Sequence, residues 1–194
     1  MISSSSSGPG VGRTARSRLV ALVAAFLGWL CAGFLMSTTS VAMQPAATAL
    51  LGQTGALDPV RFQELTTRAQ AAKTRPASSP GLTADEKAQL GQWRSLVQGW
   101  FAWLQCAFLF GAAAGGLLFG RLGDRVGRVK GMGASILTYS LLAGAASQAQ
   151  EPWHLLCLWF CACLGVGGMW PNGVALVSEA WSSLSRPVAA GLIG

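Results

Sequence analysis

Gly120-Arg121-Leu122-Gly123-Asp124-Arg125-Val126-Gly127-Arg128-Val129-Lys130 is the stretch on which the reading of this chain turns. An uncharged apolar run lies on either side of it, residues 97–119 before and 131–149 after. A hydrocarbon core about 30 Å thick takes roughly 20 apolar residues of helix. The two runs therefore read as membrane helices, and the stretch between them as a tight polar turn. It carries four basic residues and one acid, and a positive excess of this kind is retained on the cytoplasmic side. Asp124 can pair with Arg128 at i, i+4 if a helical turn forms. An acid near a helix start is also favoured by the helix dipole.

Composition agrees with a membrane chain. Of 194 residues, 52% are hydrophobic and 11% charged, against about 25% charged in soluble domains. The net charge of +7 raises the alternative of a nucleic-acid-binding surface. The charges sit at the ends of apolar runs and form no basic face interleaved with aromatics, so the pattern excludes nucleic acid as a partner and makes the lipid bilayer one. Cys31, Cys106, Cys157, Cys161 and Cys163 all lie inside apolar segments, which is not how a secreted disulfide framework is spaced. Cys157 and Cys161 share a helix face near His154, so a metal site is conceivable there. Small packing residues beside an interfacial histidine are the simpler reading, and neither a metal nor a cofactor is expected. With one histidine and no Ser/His/Asp set at one membrane depth, enzymatic chemistry is not expected either.

Taken in order, residues 1–18 read as a disordered cytoplasmic N-terminus, rich in Ser and Gly and ending in Arg13, Arg16 and Arg18. The first span is 19–43, and the basic residues before it place the N-terminus inside. Ser40-Val41-Ala42 would suit a signal-peptide cleavage site, but the apolar run is long for one. Residues 44–96 read as an extracytoplasmic loop with short helices. Asp58 caps a helix that opens on Pro59, and Thr83 with Glu86 forms a capping box. The loop reads as a solvated insertion, with a lid or docking element as the alternative. The second span is 97–119, the third 131–149 and the fourth 153–177. A loop at 178–186 and the start of a fifth helix at 187–194 follow. Gly111, Gly115 and Gly116 on the second span, with Gly165, Gly167, Gly168 and Pro171 on the fourth, mark glycine-rich faces that expect helix partners. The paired spacings are Gly111/Gly115 and Gly116/Gly120.

The central stretch resembles the signature loop of the major facilitator superfamily, written G-x-L-x-D-R-x-G-R-x-K. Gly120, Leu122, Asp124, Arg125, Gly127, Arg128 and Lys130 all match. Gly165-Val166-Gly167-Gly168-Met169-Trp170-Pro171, with Glu179 further on, resembles the fourth helix of the sugar and organic-acid symporter branches. The resemblance implies an all-α membrane protein, a partial superfamily fold of four transmembrane helices and the start of a fifth. It implies transport of a small solute by alternating access, with the signature loop as a latch that pins helix ends in the outward-facing state. Glu179 would join Arg128 and Arg186 in that latch. The plasma (inner) membrane is the expected location. Trp159, Met169, Ala32 and Leu35 stand where the pattern carries charged groups, so proton coupling through this half is not expected. The full fold has two six-helix halves with the binding site between them. The chain thus looks like a fragment, a truncated gene or one part of a complex. Its remaining partner is the missing C-terminal helices or another chain. The substrate-binding residues are unknown at this stage. A rival reading is a non-transporting multi-pass membrane protein that presents residues 44–96 as an interaction module.

Overall fold

The computed structural model describes residues 15–74, 81–181 and 185–193. Of the segment 1–18 expected to be disordered, residues 1–14 lie outside the described residues, as do 75–80, while 15–18 are not disordered but open α1, because Arg16 and Arg18 carry the helix on from the apolar run. Among the described residues every regular element is a helix. In chain order they are α1 (Ala15–Gln53), α2 (Pro59–Thr74), α3 (Ala84–Val126), α4 (Arg128–Ala146), α5 (Pro152–Ala180) and α6 (Arg186–Ile193).

Three of them, α1, α3 and α5, are long and apolar enough to cross a membrane. α4, the element that carries the expected third span, is not among these. It has 19 residues, about 28 Å of helix. Three of its polar side chains are answered inside the protein, as a membrane favours. Ser135 Oγ donates to the Gly165 carbonyl at 2.5 Å, Thr138 Oγ1 to Ala134 at 2.8 Å, and Tyr139 Oη to Gly28 at 3.4 Å.

α5 runs through Ala180 into the expected loop 178–186, and α4 stops at Ala146, short of the expected 149; two other boundaries differ more from the sequence expectation. The polar excursion 44–96 is mostly helix. α1 runs past Met43 and through Pro45 to Gln53, because Ala47, Leu50 and Leu51 continue its buried stripe. It ends where Gly55 takes φ 73°. α3 begins at Ala84, on the capping box that Thr83 and Glu86 form. Only α2 lies apart from the long helices, opened by Asp58, whose Oδ1 accepts from Val60 and Arg61 amides at 2.9 and 3.1 Å.

The second difference is at residues 120–130. The turn shrinks to one residue, Gly127, with φ 101°. Arg, Leu and Val on both sides stay helical, so α3 and α4 meet end to end. At that φ a side chain would be strained.

α5 is the central helix, packed most extensively on α3 and α4 and also on α1. The glycine-rich faces of the second and fourth expected spans find each other. Gly111 takes the Phe160 carbonyl, which a Cβ at 111 would approach to 2.8 Å. A Cβ on Gly115 would overlap the Leu164 carbonyl, and one on Gly167 the Ala112 carbonyl. Gly168 lies beneath Phe119. Gly165 faces α4 instead, 2.7 Å from the Ser135 carbonyl by the same measure. The pair Gly116/Gly120 does not pack this way. Gly120 has open space beside it, and Gly116 meets only the Gly167 carbonyl at ordinary contact, 3.5 Å. That carbonyl has lost its own i+4 donor to Pro171. The face α3 uses is Gly111, Gly115, Phe119 and Gly123, all buried.

Candidate functional site at the junction of α3, α4 and α5

Gly127 is the pivot of the site. Because the break between α3 and α4 is one residue long, Asp124 in the last turn of α3 and Arg128 at the start of α4 remain one helical turn apart. They form an ion pair. Arg128 Nε also donates to Glu179 Oε1 on the last turn of α5, at 3.2 Å. One guanidinium thus joins the ends of three helices. Its side chain is 22% exposed, while Asp124 and Glu179 are 59% and 50% exposed. The cation is partly withdrawn from water, and both acids remain in contact with it. Each exposed pair then contributes at most about 1 kcal/mol.

Beneath the charges lies a packed layer that sequence reasoning missed. Asn172, on α5 one residue after Pro171, is fully buried. Its Nδ2 donates to the Phe119 carbonyl of α3 at 2.8 Å and to Gly168 at 2.9 Å. Its Oδ1 is buried without a partner and rests on Gly123, where a Cβ would overlap it. Gly131 of α4 closes the layer, 2.7 Å from Gly123 Cα by the same measure. Gly123, Gly131 and Asn172 therefore set how closely the three helix ends approach. A polar residue inside a glycine-rich apolar run was the available signal.

The remaining sequence-predicted residues divide by position. Arg125 and Lys130 are exposed and Leu122 is half-buried. Neither cation forms an ion pair among the described residues. Gly120, Asp124, Arg128, Trp170 and Pro171 line a cavity of about 560 Å³, together with Pro187 of α6. Arg186 opens α6, but its side chain lies outside what is described, so its expected part in the cluster has no geometry. Ala32, Trp159 and Met169, at positions where the resembled pattern carries charge, are buried core residues. No group of three or more His, Cys, Asp or Glu that could hold a metal is found among the described residues.

The sequence profile of the Major Facilitator Superfamily matches residues 25–194. The chain belongs to this superfamily. It is 40% identical over 85 residues to a protein of Haemophilus influenzae provisionally named a metabolite transport protein, covering 44% of this chain and 21% of the relative. A gentisate transporter of Corynebacterium glutamicum is 39% identical over 70 residues, 36% of this chain and 16% of its own. A niacin transporter of Acinetobacter baylyi is 38% identical over 77 residues, 40% of this chain and 18% of its own. The chain thus matches about one-fifth or less of the length of these relatives. No solved structure gives a significant match. Together with the three spanning helices, family membership makes this a multi-pass membrane protein with a partial superfamily fold.

Proposed function

We propose that this chain is the N-terminal part of an alternating-access transporter for a small organic acid, in the plasma (inner) membrane, with its N-terminus cytoplasmic. The observation that carries the mechanism is Arg128 holding Asp124 and Glu179 across the ends of α3, α4 and α5. Such a cluster biases the transport cycle only by being more stable in one state than in the other. Closed, it ties three helix ends together and shuts the cytoplasmic side. Open, its members are solvated separately. Gly127 permits the change because α4 can swing on a single backbone position. Asn172 and Gly123 keep α3 and α5 together while it does so. The cluster acts as a gate and not as the solute site, which in the superfamily lies between two halves.

The solute class is supported by the relatives named for gentisate and niacin, both small aromatic carboxylic acids. The test is uptake of radiolabelled nicotinate and gentisate by cells that express the whole reading frame containing this chain. Accumulation above vector control is expected for at least one acid. No uptake of any carboxylate, from protein shown to be in the membrane, would rule out the proposed solute class.

A further inference from the structure

α1, α2 and α3 line a second, open cavity, of about 610 Å³. It is far from the charge cluster. Arg94, in its wall, precedes Asp124 on the same helix by 30 residues (124 − 94), roughly 45 Å along the axis. α1 contributes Gln44 and Thr48 to the lining, α2 Phe62 and Thr66, and α3 Arg94 and Gln98.

Two of these groups are unanswered by the protein. Thr66 Oγ1 is buried with no hydrogen-bond partner, whereas its neighbours Thr67 and Thr74 donate back to Gln63 and Gln70. Arg94 is half-buried and forms no ion pair among the described residues. The acids at this end are committed elsewhere. Glu64 and Glu86 pair with Arg61 and Arg68, and Asp58 caps α2. Asp85 is nine residues before Arg94 (94 − 85), which puts it on the opposite face of α3. A guanidinium is always charged, and one held partly out of water favours an anion. Its fork matches a carboxylate in two-point contact. Gln44, Gln98 and the unused Thr66 hydroxyl supply further donors, and Phe62 supplies an apolar wall. A volume of this size is in the range that small-molecule sites occupy.

We infer that this cavity is a binding site for a small carboxylate carrying an apolar ring, separate from the gate. The same Arg-centred chemistry would take the phosphate of an anionic lipid, so the experiment distinguishes the two. The 194-residue chain in phosphatidylcholine nanodiscs is titrated with benzoate, and with its neutral isostere benzamide, by saturation-transfer NMR. Benzoate is expected to bind saturably and more tightly than benzamide. Arg94→Gln should weaken benzoate by about tenfold or more, Arg94→Lys by less, and Thr66→Val severalfold with benzamide little changed. Equal titration of benzoate and benzamide, or parental affinity for benzoate in Arg94→Gln and Thr66→Val, overturns the inference. In phosphatidylglycerol nanodiscs benzoate affinity should persist; its loss there assigns the cavity to lipid and overturns the solute site. Binding is read without transport. Its failure is therefore distinguishable from failure of the transporter reading, on which only the choice of an aromatic acid as probe rests.

Discussion

At the scale of residues, Arg128 and Asn172 do different work at one place. Arg128 makes exposed pairs, so its effect is on an equilibrium between states. Asn172 makes buried contacts, so its effect is on packing. The two are separable by mutation. Asp124→Asn removes one of two acids from Arg128 and leaves the helices intact. An exposed pair of about 1 kcal/mol corresponds to a shift of about fivefold between gate states. We expect slower uptake by the complete transporter at unchanged membrane abundance, with faster modification of a cysteine placed at Gly120, which faces the neighbouring cavity. Parental uptake and parental cysteine reactivity would reduce the cluster to a plain positive-inside junction. At Gly123 the expectation concerns stability. A methyl there overlaps Asn172 Oδ1, and overpacking a tight site costs about 1–3 kcal/mol. Gly123→Ala should lower the thermal midpoint in detergent, and Asn172→Ala in the same chain should restore part of the loss. Two independent decrements that simply add would show that the residues do not touch.

At the scale of elements, what was legible and what was not follow from the range of the forces involved. Asp58 before Pro59 and the Thr83–Glu86 box are local hydrogen-bond signals, and both helix starts stand where they point. The apolar stripes of α1, α3 and α5 are equally local. The end of α1 was not legible, because Ala and Leu beyond Met43 follow the helical period while Pro45, Gln44 and Gln53 argue against it. Burial against α2 and α3 decides the outcome, through Leu51, Leu57 and Val97. The glycine faces were recognisable as faces, but which glycine meets which helix depends on the crossing of α3 and α5. Glu86 shows how these elements are tied. It closes the capping box and accepts from Arg61 at 3.1 Å and from Arg68 at 2.9 Å. It lies in the first turn of α3, about three turns before the apolar run, and so outside the membrane-spanning part. The Thr83 amide, opposed in part by burial and then aided by Arg68, holds its carboxyl below the ordinary value of 4.5. The folded form thus favours the ionised group. That stabilisation is complete above the ordinary value and is lost as the pH falls through the lowered one. Amide protection of Pro59–Thr74, corrected for intrinsic exchange, should hold at neutral pH and fall in acid. In Glu86→Gln the protection should be weaker at neutral pH and nearly flat with pH. A parental acid profile in Glu86→Gln would assign the titration to another group.

At the scale of the whole molecule, helix length becomes topology. α1 has 39 residues and α3 has 43, about 58 and 64 Å of helix, whereas the hydrocarbon core is about 30 Å thick. Both must project from the membrane. The charges say at which end. The start of α1 carries Arg16 and Arg18, and the α3–α4 junction carries Arg121, Arg125, Arg128 and Lys130. Basic residues this close to spanning segments remain cytoplasmic. α1 and α3 run in opposite directions, so these two clusters fall on the same side. The projection is then at the other end, where α2 bridges the two helices through Leu51, Leu57, Leu65, Leu82, Leu90 and Val97. On the orientation we propose, the described helices of 44–74 and 84–96 project outside the cell, and the proposed carboxylate cavity lies among them. The five native cysteines would be replaced first. Gln70→Cys, exposed on α2, is then expected to react with a membrane-impermeant maleimide on intact cells. Val126→Cys, exposed at the end of α3, is expected to react only after permeabilisation. The reverse pattern would invert the molecule in the membrane and move the Arg128 cluster to the outer face. Labelling of both positions on intact cells would mean that α3 does not cross.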